Sequence, residues 1–181
     1  RRIGDLHEGG ATGKGSFGYL KALAEKGRYP HMVWTEHCIV GSWGWSCVPV
    51  VHQAICEWER DRLKRANYVV KGNNPWVEHF SGIAAEIEDP RDPGTQVNTP
   101  VIEMLERASQ IGLFGEALSH CVASTGRGIV ENFTDPRYVE KITLITDATS
   151  SVGGFEKLGA NFIEELKAKG MKTATSVEFL A

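Results

Sequence analysis

The back half of the chain alternates β-favouring runs with amphipathic runs at helical spacing, and that alternation restricts the fold more than any other feature. Residues 99–110 open with Thr99 as a cap and Pro100 in the first turn, and they set Val101, Leu105 and Ala108 on one side, so they predict a helix. Residues 111–114 are short and apolar, as a buried strand is. Residues 121–131 mix small and apolar side chains in a pattern a helix can use, and residues 141–146 predict a second buried strand ending at Asp147. An amphipathic helix follows over residues 155–169, with Phe155, Leu158, Phe162, Ile163 and Leu166 inward and Gly170 closing it; residues 171–177 predict a last strand. Strands and helices alternating at these lengths predict an α/β fold, a doubly wound parallel sheet with helices on both faces.

The front half is more broken. Residues 17–26 predict a short helix closed by Gly27, with Tyr19, Leu20 and Leu23 on one side, and residues 31–34 a short strand. Gly41 and Gly44 then indicate a tight, irregular turn. Residues 49–64 carry the strongest helix signature here, with Pro49 in the first turn and a charged tail. Residues 66–71 are β-rich and lead directly into Lys71, while residues 86–98 hold enough breakers to be a loop.

Residues 4–18 are rich in glycine and lack apolar periodicity, which divides the chain into a flexible segment over residues 1–18 and one α/β domain over residues 19–181. Within the segment, Gly10 to Ser16 invites a phosphate-loop reading. It fails in detail: the spacing from Gly9 is one short, Gly15 replaces the Ser or Thr expected after Lys14, and no strand precedes it.

The composition, 41% hydrophobic and 24% charged over 181 residues, suits one ordinary globular domain. A net charge of −3 with mixed signs argues against nucleic acid and for a small-molecule partner. No apolar run reaches the roughly 20 residues that span a bilayer, so no membrane partner is expected. Cys38, Cys47, Cys56 and Cys121 form no C-x-x-C pair, which points to a reduced, cytoplasmic setting.

Cys121 lies where a predicted strand gives way to a helix. Unpaired N–H groups and the dipole at a helix N-terminus favour thiolate over thiol, and the same groups can receive an oxyanion. A cysteine in apolar surroundings is otherwise a small buried hydrophobe. In a parallel sheet, ligands bind beyond the carboxyl ends of the strands, so Lys71 and Cys121, each after a predicted strand, can converge there. An ammonium beside a thiol stabilises the thiolate, which a nucleophile near neutral pH requires. His52 and Cys56 stand four apart on one predicted helix, but nothing completes a metal site around them.

Four segments together resemble the nicotinamidase and isochorismatase-like cysteine hydrolase family. They are Trp34-Thr35-Glu36-His37-Cys38-Ile39-Val40-Gly41-Ser42, Val70-Lys71-Gly72, Gly115-Glu116-Ala117-Leu118-Ser119-His120-Cys121-Val122 and, more weakly, Thr146-Asp147-Ala148-Thr149-Ser150. The resemblance runs from about Tyr19 to the C-terminus. It implies that Cys121 is the nucleophile, that Lys71 belongs to its triad, and that the N–H groups of Ala117 and Cys121 form the oxyanion hole beside a cis Glu116–Ala117 bond. It further implies Trp34 and Phe80 as aromatic walls for the substrate ring and His37 as a ligand of a divalent metal, commonly zinc. Asp5 and His7 have the form of the family's Asp-x-His pair, but their surroundings do not. His120, next to Cys121, is expected to make local hydrogen bonds, and Asp147 to cap a loop.

Three departures stand out. Thr35 replaces the usual proline, Gly128 stands where an aspartate is common, and no segment before His31 carries the triad aspartate. Together with a start in Arg1-Arg2, this predicts that the N-terminal portion is absent from the sequence. The function implied is amide hydrolysis through a cysteine thioester, with nicotinamide as the leading small-molecule amide substrate. The alternative is a catalytically impaired binding or assembly module, and a homo-oligomer stays open.

Overall fold

The structure, a computed structural model, describes residues 15–29 and 31–181, with side chains from residue 18 onward. The predicted Asp5–His7 pair and most of the glycine-rich segment lie outside the described residues. Helix α1 (Gly15–Lys26) ends where Gly27 takes a φ of +65°, a left-handed conformation that glycine adopts without penalty. Helix α2 (Pro49–Arg62) begins on Pro49, as read from the sequence, and stops at Leu63.

Helix α3 (Thr99–Arg107) is capped by Asn98, whose side chain accepts from the Val101 N–H, one residue earlier than the predicted cap Thr99. Strand β1 (Ile111–Glu116) leads through a wide turn (Leu118–Val122) into helix α4 (Ala123–Asn132). Strand β2 (Ile142–Ser150), helix α5 (Glu156–Ala168), strand β3 (Lys172–Ala174) and helix α6 (Ser176–Leu180) complete the chain.

The three strands are parallel in the order β1-β2-β3, the βαβ pattern that the alternation predicted. A Cβ placed on Gly126 of α4 would come within 2.8 Å of Phe162 on α5 and 3.1 Å of Leu113 on β1, so these three elements meet on one face of the sheet. A Cβ on Gly112 would meet the Phe179 ring of α6 at 3.1 Å, which sets α6 on the opposite face. Helices therefore flank the sheet on both sides. Phe162, Leu166, Ile142 and Leu144 are fully buried between the layers, each contributing roughly 1.5–3 kcal/mol by leaving water.

Two expected strands do not form. Residues 31–34 and 66–71 have the right propensities but pair with no strand among the described residues, and Tyr68, Val69 and Val70 are 61%, 40% and 52% exposed. Propensity alone does not hold a strand whose ladder has no partner. Residues 171–177 also differ from expectation: β3 stops at Ala174, because Thr175 and Glu178 make a reciprocal capping box that starts α6.

Candidate active site

The end of β1 is held before the site begins. The Thr149 hydroxyl donates to the Gly115 carbonyl at 2.6 Å, and the Glu116 carboxylate accepts from the Ser150 N–H at 3.1 Å and its hydroxyl at 3.0 Å. These bonds tie the last residues of β1 to the last residues of β2, across a register shift between Leu113 and Gly115. The Glu116–Ala117 peptide bond is cis. From there the Ala117 carbonyl accepts from the His120 N–H at 3.1 Å and the Val122 N–H at 3.0 Å, the second closing the wide turn that presents Cys121.

Cys121 is half-buried and its thiol is free. Lys71 Nζ stands 3.7 Å from its sulfur and donates to the His79 carbonyl at 2.9 Å. The lysine is brought there by the exposed stretch that precedes it, without the strand that the sequence suggested. His79 was missed in the sequence, since nothing in its neighbourhood announces a backbone acceptor for an amine eight residues away. Burial holds its imidazole below the usual histidine value, the Lys71 charge adds to that, and Asp92 opposes both.

Behind Cys121 the His120 ring is buried at 5% exposure among aromatic rings. Tyr29 stacks on it with centroids 5.1 Å apart, while Trp34, Phe80 and Phe155 approach at 5.3, 5.6 and 5.0 Å. Its Nδ1 lies 2.9 Å from the Ser119 hydroxyl, the local bond expected of it, and desolvation lowers its pKa. Trp34 and Phe80, the two residues implied as substrate walls, thus both border the residue next to Cys121. Tyr29 and Phe155, far away in sequence, were not foreseen as members of this cluster.

The remaining sequence candidates are placed differently. His37 is exposed, and its Nδ1 faces the Thr35 carbonyl at 2.7 Å. No three His, Cys, Asp or Glu side chains gather as metal ligands among the described residues, so the donors there do not fit a zinc site. His52 Nδ1 and Cys56 Sγ are 3.6 Å apart on α2, and among the described residues no third ligand joins them. Asp147 accepts from the Ser176 N–H and hydroxyl, each at 2.7 Å, and those bonds hold its carboxyl below the usual range.

No family model and no curated protein sequence matches the chain. Solved structures do. The yeast nicotinamidase aligns with a TM-score of 0.53 at 19% identity, over 79% of this chain and 58% of its own. The chain has the nicotinamidase fold. The same yeast enzyme bound to the inhibitor nicotinaldehyde gives 0.56 at 17% identity, over 81% of this chain and 60% of that one. A nicotinamidase and pyrazinamidase from Acinetobacter gives 0.56 at 15% identity, over 82% and 62%. The chain therefore spans about three fifths of the length of the nicotinamidase structures it matches. Among the described residues no helix is long and apolar enough to cross a membrane.

Proposed function

We propose that the complete protein is a cysteine-dependent amidase that hydrolyses a small amide, with nicotinamide as the leading substrate and nicotinate and ammonia as products. The observation that carries this reading is the 3.7 Å approach of Lys71 Nζ to Cys121 Sγ at the carboxyl end of β1. That pairing puts a nucleophile and a fixed positive charge at the edge of the sheet where α/β folds bind ligands.

In the proposed reaction the Cys121 sulfur forms a bond to the amide carbon, and the carbonyl electrons move onto oxygen. Ala117 and Cys121 N–H groups receive that oxyanion. The C–N bond then breaks, ammonia leaves with the proton taken from the thiol, and a thioester remains. Water adds to the thioester, the C–S bond breaks, and the carboxylic acid departs as the thiol is restored. Lys71 offsets the negative charge on sulfur in both halves. The proton carrier is assigned to the aspartate that the resembled family bears on its first strand; among the described residues no carboxylate is hydrogen-bonded to Lys71 or Cys121. Trp34 and Phe80 would contact the substrate ring. A divalent metal through His37 belongs to the resemblance, and no step here uses it. Four free thiols accord with a reducing, cytoplasmic setting.

Ammonia release from nicotinamide tests the proposal. The protein extended by an aspartate-bearing N-terminal segment should release ammonia, and its Cys121→Ala variant should not. Equal release from both variants, or none from the extended protein, would reject the amidase reading, the latter in favour of a binding module.

A further inference from the structure

Cys121 Sγ and Lys71 Nζ meet at 3.7 Å, and solvent reaches both, since the cysteine is half-buried with a free thiol and the lysine is exposed. Amide hydrolysis would use this pair in its reduced state. A partly exposed free thiol beside a positive charge is also the kind of sulfur that hydroperoxides oxidise to a sulfenic acid, which then condenses with a nearby thiol or nitrogen.

The geometry selects the nitrogen. The Val122 N–H is the backbone group nearest in sequence, but it donates to the Ala117 carbonyl at 3.0 Å and closes the turn. The His120 ring is buried among aromatic rings, with its Nδ1 2.9 Å from the Ser119 hydroxyl. Lys71 differs from both. Its Nζ is aimed by the His79 carbonyl at 2.9 Å, on a side chain that is otherwise exposed. The ribbon behind it has room to follow the amine toward the sulfur: Val70 is 52% exposed, and a Cβ built on Gly72 meets nothing within 4 Å among the described residues.

We propose that hydroperoxides convert this pair into a reversible covalent bridge from the Cys121 sulfur to the Lys71 nitrogen. In the first step the sulfur, having given its proton to solvent, bonds to one oxygen of hydrogen peroxide. The O–O bond breaks, the departing hydroxide takes up a proton to become water, and sulfur is oxidised by two electrons to the sulfenic acid. In the second step the Lys71 nitrogen, having released its ammonium proton, bonds to that sulfur. The S–O bond breaks, and hydroxide leaves as water with a further proton from the nitrogen. One thiol, one amine and one peroxide thus give one S–N bond and two waters. A thiol reductant restores both side chains, and while the bridge lasts the sulfur is kept from the irreversible sulfinic step.

The test treats the whole chain with hydrogen peroxide, alkylates it with iodoacetamide and digests it with trypsin for mass spectrometry. The expected product is peptide 66–91, uncut at Lys71, joined to peptide 108–127. It should be lighter than the two peptides together by two hydrogen atoms and should come apart in dithiothreitol. Lys71→Arg keeps the charge without the nucleophile, so the joined pair should be lost and Cys121 recovered as a sulfenic acid trapped by dimedone. The proposal is overturned if native Cys121 stays unoxidised, or ends as a sulfinic acid or a disulfide without the joined pair. Loss of two hydrogens within peptide 108–127 alone, an extra oxygen in the joint, or a joined pair that persists in Lys71→Arg overturns it as well. Mass, not ammonia, is the readout, so the bridge and the amidase reading stand or fall separately.

Discussion

Lys71 Nζ is shared between two acceptors, the Cys121 sulfur at 3.7 Å and the His79 carbonyl at 2.9 Å. The shorter bond aims the amine, and the longer contact places its charge on the sulfur. A positive charge at that distance attracts negative charge on the sulfur, so Lys71→Met should slow alkylation of Cys121 by iodoacetamide at pH 7 by about tenfold or more. Peptide mass spectrometry separates Cys121 from the exposed Cys38 and Cys47. An unchanged rate would remove Lys71 from the site.

Trp34 presents its ring at 87° to His120, with its indole N–H buried and unpartnered among the described residues. Under the proposed function, Trp34→Ala in the extended protein should raise KM for nicotinamide by about tenfold, the worth of one aromatic contact, and change kcat less. A fall in kcat at constant KM would assign the ring to packing of the His120 cluster instead.

Gly126 sits where α4, α5 and β1 converge. In an open helix, alanine here would gain about 1 kcal/mol over glycine. A Cβ at 2.8 Å from Phe162 reverses the sign, because overpacking costs roughly 1–3 kcal/mol, so Gly126→Ala should lower the urea midpoint. A raised midpoint would mean that α4 and α5 are less tightly seated.

His79 and His120 are both held neutral, chiefly by burial, and the Lys71 charge adds to the effect at His79. A depressed histidine binds fewer protons folded than unfolded, so stability rises with pH through that window. The contribution is complete above the ordinary value of about 6.5 and is lost as pH falls through the folded values. Urea unfolding from pH 8 to pH 5 should show declining stability below about pH 6.5, and His120→Phe should flatten part of the decline. A flat profile in the native sequence would mean that the His120 ring is solvated.

Helices α1, α2, α3 and α5 were legible because each carries its own local signals, a proline at the start, a glycine at the end, or an apolar stripe. Strands β1 and β2 were legible as apolar runs between them. Residues 66–71 misled because β propensity says nothing about whether a neighbour is present to pair. Helix α6 has a readable signal, Thr175 three residues before Glu178, lying across the end of the run, residues 171–177, that predicts a strand. Within the site, Cys121, Lys71 and the cis bond were anticipated from resemblance. The ring of Tyr29 and Phe155 around His120 was not, because those residues are 91 and 35 positions from it and share no motif.

Cys121 rises from a sheet clamped at both strand ends, whereas Lys71 arrives on a ribbon in which α2 buries none of its residues and Trp43, Val50 and Leu63 face solvent at 82%, 73% and 92%. The two halves of the pair therefore rest on foundations of unequal strength. Warming should part the amine from the sulfur well before the layered core gives way, so that chemical competence fades at a temperature where the sheet's own signal is still intact.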